Sequence, residues 1–172
     1  MSKTPLEIPT PTIQELEAAH RAFEESEPRD LFYRAATELM GLALRGETSL
    51  SVTEALAVLL QTWNRTFYRF TPFDSRHFAD LERVVTTIQQ DLVALRERSL
   101  ERFSSEDAAT VETLFGDFEK VLGPVGAAKA LHLLAPQFFP LWDRAIAKAY
   151  TLALRERGKN AERYRRFMMW GA

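Results

Sequence analysis

The residues best placed to do chemistry lie within 122–150, LGPVGAAKALHLLAPQFFPLWDRAIAKAY. Gly123 and Gly126 bracket a Pro-Val pair, and Lys129 sits on the first turn of a helix predicted over 127–134. Asp143 opens the next predicted helix, fourteen residues beyond Lys129. A lysine amine attacks an electrophilic carbon only when it is partly neutral, which needs burial or neighbouring positive charge. A carboxylate within reach can orient that amine or stabilise positive charge on the substrate. The glycine turn offers a second kind of chemistry. Unpaired amides at a helix start, here from Val125 to Lys129, favour an anion. Gly123, Val125, Gly126 and Ala127 are thus candidate contacts for a phosphate backbone. Each feature also has a plainer reading: a tight interhelical turn, a lysine whose stem snorkels along apolar surface, and an aspartate that only caps its helix.

The elements that must position these residues read as helices throughout. Residues 1–11 hold three prolines and no apolar periodicity, so they are expected to form an extended arm, with one domain over 12–172. Thr12 with Glu15, and Ser51 with Glu54, have the spacing of capping boxes. Behind the first runs a stripe of Ile13, Leu16, Ala19 and Phe23. Asp30 to Leu44 forms a second helix. Behind Ser51 the segment EALAVLLQTWNRTFYRF is apolar on most sides and reads as the central buried helix, with Trp63, Tyr68 and Phe70 as core aromatics. Asp74 is placed to cap a helix from Ser75 to about Leu95, whose stripe of Phe78, Leu81, Val85, Ile88 and Leu92 keeps a 3.6-residue period. A further helix starts at Ser104–Asp107 and stops at Gly123. After Tyr150 a basic helix and a last helix over 160–170 are expected. No segment alternates with period two long enough for a strand. The fold class is therefore all-α, a compact multi-helix bundle.

Composition narrows the chemistry. There is no cysteine, which excludes disulfides, thiolate catalysis and cysteine-based zinc sites. His20, His77 and His132 are far apart and match no metal spacing, so no metal and no cofactor is expected. The amino terminus has no apolar signal region and no run approaches the length of a membrane span, so a cytoplasmic protein without a membrane partner is expected. The net charge of −2 conceals an asymmetry. Residues 1–121 carry 13 basic and 21 acidic side chains, whereas residues 122–172 carry 9 and 3. The basic third fits either an anionic partner such as nucleic acid or the acidic remainder of the same domain. Its run of Arg155, Arg157, Lys159, Arg163, Arg165 and Arg166 is where phosphate contacts would fall.

The glycine-bracketed turn, the following lysine and the aspartate at the next helix start resemble the helix-hairpin-helix superfamily of DNA glycosylases, the endonuclease-III-like group. That resemblance implies a helix-hairpin-helix element near residues 111–135. The ALAVLLQTWN stretch is similar to the family's first long core helix, with Gln61 and Asn64 at loosely matching positions. It further implies DNA as partner and excision of a base. Lys129 would attack the sugar C1′ to form a Schiff base, Asp143 would support it, and His132, Trp142, Phe138 and Phe139 would line a pocket for the extruded base. The chain departs from the pattern in several ways. The turn reads Gly-Pro-Val-Gly, the lysine-to-aspartate spacing is shorter by about a helical turn, Arg144-Ala145 stands where the family has a histidine, and no iron–sulfur cysteines exist. The alternative is a non-catalytic module that binds nucleic acid or protein and keeps only the fold. A third reading is a small-molecule-binding helical protein.

Overall fold

The computed structural model describes residues 12–26 and 30–171. The expected extended arm at residues 1–11 lies outside them. Among the described residues every regular element is helical: α1 (Ile13–Ser26), α2 (Asp30–Leu44), α3 (Val52–Trp63), α4 (Arg65–Tyr68), α5 (Ser75–Ile88), α6 (Leu92–Arg96), α7 (Ala108–Leu134), α8 (Arg144–Ala149) and α9 (Ala161–Gly171). None of these helices is long and apolar enough to cross a membrane.

Local chemistry sets the helix starts. Thr12 and Glu15 exchange the two bonds of a capping box, and so do Ser51 and Glu54. The Asp74 carboxylate accepts from the His77 amide at 2.8 Å, and Asp143 accepts from the Ile146 amide at 2.8 Å. α3 is the central layer. It packs against α2, α5 and α7, and its Ala55, Leu56, Ala57, Leu59 and Leu60 are buried. α7 also packs against α5 and α9. Here Phe115 stacks on Tyr164 at 4.5 Å, with Trp142 edge-on to Phe115 at 5.8 Å. The buried Tyr164, Phe167 and Met168 attach α9 to its own chain.

Five expectations are corrected. The helix expected from Ser75 to about Leu95 is interrupted over residues 89–91, so Leu92 and Leu95 reach the core from the separate α6. The central helix breaks at Asn64, before the expected end of its apolar run. Phe70 is no core residue, being 82% exposed. The stripe of α1 also faces outward, with Ile13 76% exposed. The basic helix expected directly after Tyr150 does not form. Residues 151–160 form an irregular segment that begins with Thr151 at φ 56° and is closed by Asn160. The buried Asn160 amide donates to the Arg155 and Glu156 carbonyls at 3.1 and 3.0 Å, while its oxygen accepts from the Arg155 amide at 2.7 Å. One side chain thus supplies the hydrogen bonds a helix would otherwise provide.

Where the helix-hairpin-helix element is expected, near residues 111–135, the structure has α7 with one kink and no separate loop. A single non-helical residue, Gly123 (φ 70°, ψ 172°), joins the two halves of α7. This backbone region is open essentially to glycine alone. Pro124 then begins the second half, where its missing N–H costs nothing. Lys129 consequently lies on the second turn of that half, one turn later than expected.

Candidate functional site

Three helix-end carbonyls around the break would lack intrahelical partners, and each is taken by a remote side chain. The Asn64 amide donates to the Leu122 carbonyl at 3.2 Å. Arg96 donates to the Leu134 carbonyl at 2.8 Å. Lys129 Nζ donates to the Trp63 carbonyl at 2.5 Å. Asn64 thus links two backbone breaks, ending α3 while holding the last carbonyl before Gly123. Gly126 is required by this close approach, since a Cβ there would lie 2.4 Å from Asn64 Nδ2 and 2.7 Å from Leu122 Cβ.

A cavity of about 630 Å³ opens at this junction. Trp63, Phe67, Pro124, Val125 and Leu154 give it apolar walls, and Asn64, Thr66, Lys129, Asp143 and Arg144 give it polar ones. Of the candidate backbone contacts, Gly123, Val125 and Gly126 line it. Ala127 is fully buried behind them. Because the second half of α7 begins at Pro124, the Val125 and Gly126 amides lie in its first turn, at the positive end of the helix dipole. Arg157 adds positive charge beside the cavity, with its guanidinium 5.9 Å from the Phe67 ring.

Lys129 and Asp143, the candidate catalytic pair, come together on the wall of this cavity. Among the described residues no ion pair joins them. Burial holds the Lys129 amine below the ordinary lysine range, and the Asp143 charge opposes that shift. Asp143 is anchored through Oδ1 as the cap of α8, and its second oxygen takes no hydrogen bond from the described residues. Lys129 Nζ also lies 5.3 Å from the Trp63 ring centre. Trp63 and Lys129 together separate this cavity from a neighbouring one of about 520 Å³, which Phe32, Tyr33, Thr62 and Leu141 help to line.

The remaining candidates sit elsewhere. Trp142, Phe138 and Phe139 are buried in the core and cannot stack on a ligand. Phe138 and Phe139 meet edge-on at 4.9 Å. Gln61 is exposed on α3 and lines neither cavity. His132 is buried under Tyr33, its Nδ1 2.7 Å from the Phe139 carbonyl and its Nε2 2.8 Å from the Tyr33 hydroxyl. A carbonyl only accepts, so Nδ1 carries the proton and Nε2 accepts from the tyrosine. Burial pushes the His132 pKa down, which suits this neutral, fully bonded state. No cluster among the described residues has the His, Asp or Glu set to hold a metal ion.

The basic run divides between several tasks. Arg165 pairs with Glu112 and Lys159 with Glu156, while Arg157 donates to the Lys120 carbonyl. The sequence reading missed Phe67, Thr66 and Leu154 as cavity residues, and treated Trp63 as core. Nothing local marks them, because they are brought to Lys129 by the break at Asn64 and by the irregular segment before Asn160.

No family model, curated protein or solved structure matches the chain.

Proposed function

We propose that this chain binds DNA at the cavity beside Gly123 and cleaves an N-glycosidic bond there, with Lys129 as nucleophile and Asp143 as supporting carboxylate. One observation carries the reading. An amine and a carboxylate from different helices share one open cavity, unpaired with each other, beside the first turn of the second half of α7. The amine is partly desolvated, which raises its neutral fraction. In the proposed step the nitrogen lone pair forms a bond to C1′ while the bond from C1′ to the base breaks. The base leaves with that electron pair and takes up a proton. Loss of the amine proton and opening of the sugar ring give an imine. Asp143 stabilises positive charge on the sugar and receives the amine proton directly or through one water.

The test is borohydride trapping on duplex and single-stranded DNA carrying abasic, oxidised, deaminated or alkylated bases. Borohydride reduces the imine to a stable secondary amine, so an adduct is expected for the wild type and none for Lys129→Ala. Asp143→Asn keeps the helix cap, since asparagine caps as well as aspartate, and is expected to slow adduct formation without unfolding the chain. Undiminished trapping by Lys129→Ala would falsify the reading.

One observation favours a second reading, a DNA-binding module without chemistry. The bond from Lys129 Nζ to the Trp63 carbonyl seals the end of α3, a task the ammonium performs more strongly than the free amine. On that reading no substrate yields an adduct, DNA binding persists, and Lys129→Arg retains both stability and binding.

A further inference from the structure

We infer that Phe70 is a stacking platform for an unpaired base, carried by an arginine-bearing turn that continues from two residues of the Lys129 cavity wall, Thr66 and Phe67. The inference rests on the DNA-binding part of the reading above and is independent of its lysine chemistry.

Four observations converge on this residue. Phe70 is 82% exposed, more than any other large apolar side chain among the described residues. Its backbone is nonetheless fixed, because the Phe70 and Thr71 amides both donate to the Phe67 carbonyl at 3.1 Å. Beneath it lies a braced aromatic cluster. Phe67 and Tyr68 meet edge-on at 5.2 Å, Tyr68 and Phe73 at 5.8 Å, and the Tyr68 hydroxyl lies 3.0 Å from His77 Nε2. Burial raises the Tyr68 pKa to about 12, so the phenol keeps its proton and remains a neutral hydrogen-bond partner of the imidazole. The Phe70 ring takes no part in the ring contacts of this cluster among the described residues. It is held out to solvent on a rigid support, so little ordering is left for a ligand to impose.

The third observation is charge. Between Glu54 and Asp74 no acidic residue occurs, although residues 1–121 as a whole carry a net −8. Arg65 and Arg69 fall inside this acid-free window and Arg76 just beyond it, with Asp74 tied up as the cap of α5. The Arg69 guanidinium lies 6.0 Å from the Phe70 ring centre. A flat apolar ring with the Arg69 guanidinium beside it matches a nucleic-acid strand, whose bases offer π-faces and whose phosphates offer negative charge. It does not match an apolar protein surface, which would strand the arginines. The fourth observation is continuity. Thr66 and Phe67, in the same turn, line the Lys129 cavity, and Arg157 sits over Phe67. The basic surface therefore runs into the site.

The test uses the full chain and two probes: a single-stranded oligothymidylate of roughly 12 nucleotides, and a strand of the same length built of abasic units, which keeps the phosphates and removes the bases. The wild type is expected to prefer the oligothymidylate. Phe70→Ala is expected to lose roughly 5- to 150-fold in affinity for it, with no change for the abasic strand and unchanged thermal unfolding. Phe70→Trp is expected to restore affinity and to report binding through quenched indole fluorescence. Arg65→Ala is expected to weaken both probes alike and to reduce the slope of log affinity against log salt by about 0.7. Equal affinity of Phe70→Ala and wild type for the oligothymidylate overturns the platform while leaving salt-dependent DNA binding in place. Absence of binding to either probe at low salt overturns the platform and the DNA reading together. A failed Lys129 trapping experiment with Phe70-dependent binding intact removes the chemistry and supports the platform.

Discussion

Glu119 and Lys129 lie on α7, one on each side of its break, and the fold treats them in opposite ways. Glu119 is wholly buried. Its Oε1 accepts from the Asn160 amide at 2.5 Å, and its Oε2 has no partner among the described residues. Nearby in the same layer, the Trp142 indole N–H is also without an acceptor, packed against Phe115 and Tyr164. None of the cavities described above is lined by Glu119. Lys129 is only half-buried, holds a single backbone carbonyl and borders two cavities. The difference teaches that burial of an ionisable group is in itself a statement about folding. Glu119 cross-links α7 to the segment before α9. A reactive group needs burial together with an adjoining volume where a substrate atom can sit, and Lys129 has both where Glu119 has only the first.

The largest effect that sharpens this contrast is Asn160→Ala. It strips Glu119 of its hydrogen bond and releases the Arg155 and Glu156 carbonyls, so a loss of about 2–4 kcal/mol is expected in urea unfolding. Lys129→Met loses only a helix-end contact, and about 1 kcal/mol or less is expected. Equal losses in the two variants would erase the distinction between cross-link and site. Next in size is Gly126→Ala, whose Cβ would sit 2.4 Å from Asn64 Nδ2. Overpacking should cost about 1–3 kcal/mol and dislodge Asn64 from the Leu122 carbonyl. Gly116→Ala, on the other half of α7 with nothing within 4 Å, should instead gain about 0.5–1 kcal/mol. Differential scanning calorimetry on the pair reads both signs.

The smallest effect is a pH dependence. Burial lowers the pKa of both His77 and His132 below the ordinary 6.5. As pH falls through 6.5 the unfolded chain binds protons before the folded one, so stability declines from there until the folded pKa values are passed. Unfolding free energies measured across that window should fall toward acid. His132→Gln should flatten the fall, since it removes one of the two protonation steps. A profile unchanged by His132→Gln would mean that the Tyr33–His132–Phe139 contact opens at little cost.

Much of the helical plan was legible in the chain because its causes are local. Thr12 with Glu15, Ser51 with Glu54, Asp74 and Asp143 each cap through contacts only three residues away. Lys129 and Asp143 were legible as candidates because glycine and proline advertise a turn wherever they occur. The break after Trp63 was not legible, for Asn64 acts on a carbonyl 58 residues away. The irregular segment before α9 read as helix because its alternative partner, the Asn160 side chain, leaves no trace in periodicity. Trp142 and Phe70 show the same limit from opposite sides. Both are large aromatics beside a turn, yet the first is enclosed by Phe115 and Tyr164 and the second stands in solvent.

The sequence by itself determined an all-helical plan, the capped starts at Thr12, Ser51, Asp74 and Asp143, and a glycine-bearing interruption at Gly123. Those features follow from backbone conformation and hydrogen bonds a few residues long. Tertiary structure decided that Trp63, Phe67, Lys129, Asp143 and Arg144 face one cavity, that Trp142 and His132 do not, and that Phe70 is presented outward. Exposure and convergence depend on which distant surfaces cover which side chains, and no local pattern encodes that.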